Sequence, residues 1–196
     1  QELEHGVATI ATGAEEYKPD EYQYGKDPRI VTSLEFDQKL MKKEIPVEKM
    51  NTAVFIQCVG SGEPARPYCS RLCCSHSIES ALELKEANPD LNVFVLNRDI
   101  RTYGEREELY KKAREKGVLF IRYAYDEKPE VVMEDGKLLV KVEDKIIGRQ
   151  LEIETDLLTL ATAIVPNKDV HLAQNFKVAM DEDGFYVERH AKLGPS

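Results

Sequence analysis

The run Thr52-Ala53-Val54-Phe55-Ile56-Gln57-Cys58-Val59-Gly60-Ser61-Gly62-Glu63-Pro64 sets the architecture of this 196-residue chain. Thr52–Gln57 holds the compact apolar block Ala53-Val54-Phe55-Ile56. Such a block without polar alternation predicts a strand buried on both faces, as in a parallel sheet. Gly60, Gly62, Pro64 and Pro67 then make Cys58–Cys69 a loop. A helix is expected over about Ser70–Ala87, with Leu72, Ile78, Ala81, Leu82 and Leu84 as its apolar residues and Pro89 as its stop. Leu91–Leu96 is a second apolar strand. Glu105–Lys116 is an amphipathic helix closed by Gly117, and Val118–Arg122 a third strand. Strand–helix–strand–helix–strand is the order of an α/β, Rossmann-like parallel sheet.

On the amino-terminal side, Gly6–Gly13 reads as a strand running into a turn, and Tyr17–Arg29 as a loop with Pro19, Gly25 and Pro28. Ser33–Lys42 reads as a short helix with Ser33 as its cap and an apolar stripe of Phe36/Leu40 and Leu34/Met41. On the carboxyl side, Pro129–Met133 and Lys137–Val142 flank the hairpin turn Glu134-Asp135-Gly136. Gln150–Glu154 adds a strand to this small antiparallel meander. Asp156–Ala161 is a further apolar strand before the turn Ile164-Val165-Pro166-Asn167, and Asp181–Gly184 carries a second hairpin signal.

Hydrophobic residues make up 42% and charged residues 32%, an ordinary globular balance rather than a disordered one. The net charge of −9, from 27 Lys+Arg against 36 Asp+Glu, repels nucleic acid and anionic membrane. No stretch approaches the ~20 apolar residues of a membrane helix. Gln1–His5 is acidic where an export signal starts basic, so the expected location is cytoplasmic. The sequence opens on Gln1 and closes on Lys192–Ser196, and the expectation is an internal stretch of a longer protein.

The cysteines are Cys58, Cys69, Cys73 and Cys74, in the pattern C-x10-C-x3-C-C. Tight clustering without an export signal points to a metal site rather than to secreted disulfides. The cluster begins at the carboxyl end of the first central strand, the crevice where α/β sheets bind cofactors. The G-x-G-x-x-G fingerprint usual there is missing, although Gly60 remains in the loop. Cys69 and Cys73, at i and i+4, are expected to share a helix face, with Cys74 about 100° round from Cys73. A helix N-terminus and Arg71 would hold thiolates and a negative cluster. This spacing favours an iron–sulfur cluster. A zinc site, a redox dithiol and four buried structural cysteines stay open, zinc less naturally because there is no second C-x2–4-C knuckle.

Asp99 follows the second strand, where an acidic residue would bind a nicotinamide ribose, or else it is a solvated loop residue. Arg98, Arg101 and Arg122 sit near strand ends and would face a flavin phosphate, a neighbouring protein of a complex or surface carboxylates. His76 is expected to be a polar helix residue or a donor to a cluster sulfide. His5, His171 and His190 read as surface residues. A zinc-bound or metal-free docking domain of a complex is the alternative from outside redox chemistry, and a nicotinamide-binding reductase domain the alternative within it.

Val54-Phe55-Ile56-Gln57-Cys58-Val59-Gly60-Ser61 and Tyr68-Cys69-Ser70-Arg71-Leu72-Cys73-Cys74 together resemble the A subunit of heterodisulfide reductase and its relatives, among them the A subunit of quinone-interacting membrane-bound oxidoreductase. Asp99-Ile100-Arg101-Thr102-Tyr103-Gly104 looks like the family's D-I-R-x-x-G segment, and Gly117–Arg122 like its G-V-x-F-I-R strand. Ala11-Thr12-Gly13 resembles its first flavin-domain turn, and Asp156–Asn167, with Val165 and Pro166, the second. The resemblance implies a thioredoxin-reductase-like core that binds FAD, with a [4Fe-4S] cluster held by the four cysteines near the flavin. It also implies the other subunits of a heterodisulfide reductase-like complex as partners, with ferredoxin or a similar carrier exchanging electrons. Residues 14–155 would be an NAD-domain-like insert, and 1–13 and 156–196 segments of the FAD domain. Two positions depart from the pattern: Ala163, where the family usually has Gly, and Glu79, where a basic residue accompanies flavin bifurcation.

Overall fold

The computed structural model describes residues 4–167 and 170–187. In chain order its elements are β1 Ala14–Glu16, β2 Ile30–Thr32, α1 Ser33–Met41, β3 Thr52–Val59, α2 Cys73–Ala87, β4 Asn92–Asn97, α3 Glu107–Glu115, β5 Leu119–Arg122, β6 Glu130–Glu134, β7 Lys137–Asp144, β8 Arg149–Glu154, β9 Leu157–Thr162, β10 Ile164–Pro166 and α4 Val170–Phe176. They fall into two compact units, one of Tyr17–Ala163 and one of the segments up to Glu16 and from Ile164 onward.

The larger unit is built on a five-stranded parallel sheet in the order β2-β9-β3-β4-β5. Both faces of β3 are covered, which is why its sequence does not alternate with polar residues. Ala53 and Phe55 join Phe36, Ile78, Ala81 and Leu84 in the core under the helices. Val54 and Ile56 join Val131, Leu138, Val140 and Leu158 in a second core on the other side. The antiparallel meander β6-β7-β8 supplies that second cover. Its hairpin turns at Asp135 (φ 50) and Gly136 (φ 79), the pair of positive φ values that a tight two-residue connection needs. β9 returns from the meander into the middle of the sheet. Asp156–Ala163 therefore packs with the cysteine-bearing unit, whereas the sequence reading groups it with the chain ends.

Several local expectations shift. α1 is capped by Thr32, not Ser33: the Thr32 side chain accepts from the Glu35 N–H at 3.4 Å, and the Glu35 carboxylate accepts from the Thr32 N–H at 3.0 Å. Its buried side is Phe36, set edge-on to Phe55 at 5.8 Å, while Leu34 and Met41 are exposed. α2 begins at Cys73, three residues later than expected, because Arg71 sits at φ 64, outside helical space. Residues 6–10 form no strand, since a strand needs a ladder partner and none faces this segment among the described residues.

In the smaller unit β1 pairs antiparallel with β10, Ala14 opposite Pro166 and Glu15 opposite Val165. The Asp181–Gly184 turn forms as expected: the Asp181 carboxylate accepts from the Asp183 and Phe185 N–H groups, and Met180 bridges to Tyr186. Among the described residues no helix is long and apolar enough to cross a membrane.

The two faces of α1 predict unequal sensitivities to truncation. Phe36→Ala should cost about 3–5 kcal/mol of unfolding free energy, the cap variant Thr32→Ala about 1 kcal/mol, and Met41→Ala within about 0.5 kcal/mol of zero. Urea unfolding of the three variants measures this, and equal losses at Phe36 and Met41 would contradict the assignment of faces.

Candidate metal centre

The carboxyl end of β3 is irregular. Against β9, Ile56 registers with Leu160 but Val59 with Thr162, so β3 carries one extra residue. The excess is taken up at Cys58, which adopts φ 61. A left-handed conformation costs a non-glycine residue roughly 1–2 kcal/mol, and bulges of this kind re-aim side chains next to functional sites. Gly60 continues the irregularity at φ 72 and is buried. A Cβ there would lie 2.5 Å from the Tyr17 ring, so only glycine fits. Arg66 stacks on the same ring, 4.0 Å from its centroid, and its Nε donates to the Gly60 carbonyl.

The loop after β3 is closed on itself. Gly62 N–H donates to the Tyr68 carbonyl at 2.9 Å, the Ser61 hydroxyl donates to the same oxygen at 2.8 Å, and Glu63 and Arg66 exchange backbone bonds. Across the sheet end, the Arg98 guanidinium donates to the carbonyls of Cys58 at 3.0 Å, Gly62 at 3.0 Å and Ser61. Arg98 is held in turn by Arg122, whose Nε donates to its carbonyl at 3.0 Å. Lys128 pairs with Glu63 and with Glu21 at 3.2 Å, tying the loop to the segment before β2. The planar fork of Arg98 suits several carbonyls at once, which a lysine ammonium would not.

Cys69 lies in the loop, so it shares no helix face with Cys73. Its sulfur accepts from the Arg71 N–H at 3.4 Å. Cys73 and Cys74 open α2, whose N-terminus has no side-chain cap. Cys74 is buried, and its thiol donates to the Asp99 carbonyl at 3.7 Å, just past β4. The four sulfurs lie within electrostatic reach of one another. Burial, with the charges of Cys74, Cys58 and Cys69, pushes the Cys73 thiol up to about 12. Burial raises Cys74 too, and raises Cys58 against the opposing pull of Arg98. These thiols are neutral near pH 7, and a metal group bound there must displace their protons. Among the described residues no three His, Cys, Asp or Glu side chains are close enough together to clasp a single ion.

The remaining sequence candidates separate into the two units. In the larger one, Arg71 brings its backbone N–H to Cys69. The Arg101 Nε donates to the Asp99 carboxylate at 3.4 Å in an exposed pair. Glu79 is on the exposed side of α2 and Ala163 is buried, its N–H donating to the Val59 carbonyl at 2.8 Å. His76 turns to Asp37, with its Nε2 2.9 Å from the carboxylate. In the smaller unit, Ala11, Thr12 and Gly13 come beside Val165 and Pro166 through β1 and β10. The Asn167 side-chain amide fastens the turn by donating to the Thr12 carbonyl at 2.8 Å and to Gly13 at 3.2 Å. His190 lies outside the described residues. The sequence reading offers Arg98 a flavin phosphate, a neighbouring protein or surface carboxylates but not the loop carbonyls, because three carbonyl partners in a distant loop leave no local pattern.

No family model matches the chain. Its architecture is that of FAD/NAD(P)-binding, thioredoxin-reductase-like flavoproteins. The HOCl-induced flavoprotein disulfide reductase RclA of Escherichia coli superposes with a TM-score of 0.54 at 16% identity, over 91% of this chain and 34% of that one. Thioredoxin reductase of T. acidophilum gives 0.51 at 19% identity, over 91% and 50%. In sequence the chain is homologous to the A subunit of heterodisulfide reductase over nearly its whole length. It is 35% identical over 99% of its residues to the A subunit of the H(2):CoB-CoM heterodisulfide,ferredoxin reductase of Methanothermobacter marburgensis. It is 34% identical over 98% to the iron-sulfur A subunit of the CoB–CoM heterodisulfide reductase of Methanocaldococcus jannaschii. The chain spans about a third, 32%, of the length of these curated relatives.

The Arg98 clamp makes a testable demand. Arg98→Ala frees three loop carbonyls and should expose residues 58–62 to faster amide hydrogen exchange, while β7 and β8 exchange as before. Arg98→Lys should recover only part of the protection, since an ammonium cannot match the fork. Unchanged exchange in both variants would contradict the clamp.

Proposed function

We propose that this chain is the part of a heterodisulfide reductase A-like oxidoreductase in which Cys58, Cys69, Cys73 and Cys74 hold a [4Fe-4S] cluster close to FAD. The observation that carries the reading is the placement of the four cysteines at one end of β3, where Cys74, Cys58 and Cys69 all raise the cost of charging Cys73. Homologues named as iron-sulfur subunits support it.

The residues present suit such a group. A four-thiolate cluster is anionic, and this site offers the Arg98 guanidinium, the Arg71 N–H and an uncapped helix N-terminus. When bound, the cluster supplies one-electron redox chemistry. The chain's own work is to keep Cys58 turned toward the other three through the bulge, to bury Cys74, and to exclude water with the Tyr17–Arg66 stack.

FAD belongs to the same reading. Ala11, Thr12, Gly13, Val165 and Pro166 would approach it as segments of an FAD domain at the two ends of the chain, with the cysteine-bearing unit as the NAD-domain-like insert. Gly60, Arg71, Asp99 and Arg101 would line the cofactor side of the cysteine loop. The M. marburgensis relative is named for ferredoxin and a heterodisulfide, and we assign this chain to a comparable multi-subunit, cytoplasmic assembly. Ala163 and Glu79 set it apart from the bifurcating pattern, so simple electron relay is the activity proposed.

Anaerobic reconstitution with iron and sulfide tests the cluster. Equal, cubane-level iron and acid-labile sulfide with broad visible absorption are expected, and both should be lost in a Cys73→Ser/Cys74→Ser double variant. A colourless protein that retains one zinc, or no metal, would refute the assignment.

A further inference from the structure

Native proteins leave few buried polar atoms without partners, and each one asks for a cause. Among the described residues five such side-chain atoms occur: Gln57 Oε1 and Nε2, Ser75 Oγ, Ser77 Oγ and Thr159 Oγ1. Gln57 is the extreme case, a carboxamide 0% exposed with neither end bonded.

Strand alternation fixes where Gln57 points. Ala53 and Phe55 face the helix layer and Val54 and Ile56 the meander, so Gln57 faces the helices. Thr159 is registered opposite Phe55 and shares that face. α2 runs back along β3. Its last residues lie at the start of the strand, where Asn88 Nδ2 donates to the Val47 and Met50 carbonyls. Its first residues lie at the strand's end, where Cys74 reaches the carbonyl beyond β4. Leu84, Ala81 and Ile78 pack against Ala53 and Phe55. By helix period, the turn of α2 before Ile78 and Ala81 carries Ser77 and Cys74, on the level of Gln57. A core position has thus been given to a carboxamide at the cysteine end of the sheet, next to Cys58 in sequence and facing the layer that carries Cys74.

We propose that Gln57 is the buried hydrogen-bond donor to the cysteine-bound centre, its Nε2–H groups directed at the sulfurs on the Cys58 and Cys74 side, and that this donation raises the centre's reduction potential. The inference rests on the four-cysteine cluster reading. Sulfur ligands are acceptors that the apolar layer otherwise leaves unserved. A donor stabilises the more negative, reduced state more than the oxidised one.

The test is a potentiometric titration, followed by EPR, of the anaerobically reconstituted chain and its Gln57→Leu and Gln57→Met variants. Leucine removes both donors at similar volume, and methionine, closer in length, serves where leucine fails to fold. The expected result is unchanged iron and sulfide content with a midpoint potential shifted to more negative values. Full iron content with an unshifted potential would overturn the inference and assign the orphaned amide to a buried water, while leaving the cluster reading intact. Failure of the parent chain itself to take up iron would overturn both, and iron analysis tells the two failures apart.

Discussion

A strand buried on both faces offers no place for a polar side chain, and β3 obeys that constraint from Ala53 to Ile56. Every other layer follows from it. The helices must cover one face and the meander the other, and β9 and β4 must satisfy its backbone on both edges. The strand runs on to Val59, but its regular register is lost past Ile56, because Cys58 is turned by the extra residue against β9. The sheet therefore ends in a bulge rather than fraying, and the bulge gives the cysteine loop a fixed origin. The order β2-β9-β3-β4-β5 places this origin at the centre of the sheet instead of at an edge, where two neighbouring strand ends can reach the loop.

Electrostatics at that end oppose a metal-free thiolate state. Three of the four thiols are raised by burial, and each would raise its neighbours if ionised. The compensations in reach, Arg98, the amide of Arg71 and the first turn of α2, are too few to hold several bare thiolates. They are well matched to an anionic group that spreads its charge over many atoms. The loop's rigidity has the same source: Arg98 closes it through backbone carbonyls, so its hold does not depend on which side chains the loop displays. Gly60 is required by the same packing, since the space a Cβ would fill belongs to Tyr17.

How much of this is legible in the sequence depends on how local the cause is. β3, β4, β5, α3 and the meander announce themselves through apolar runs, period and a two-residue turn, and they lie within a residue or two of expectation. Residues 6–10 have strand composition but no partner, and composition cannot supply one. The start of α2 is displaced because nothing in Ser70-Arg71-Leu72 reveals that Arg71 is left-handed. That displacement also undoes the pairing of Cys69 with Cys73 on a helix face. β2, only three residues long, gains its place from β9, more than a hundred residues later. The cysteine spacing points to the site, but Arg98 and Tyr17 join it through long-range packing that a linear pattern does not carry.

The central claim is that four cysteines gathered at the end of one buried strand bind a single iron–sulfur cluster. Iron K-edge X-ray absorption of the reconstituted chain tests it most directly. The account predicts a first shell of sulfur alone with a clear iron–iron shell behind it. A first shell containing nitrogen or oxygen, or the absence of iron–iron scattering, would contradict it.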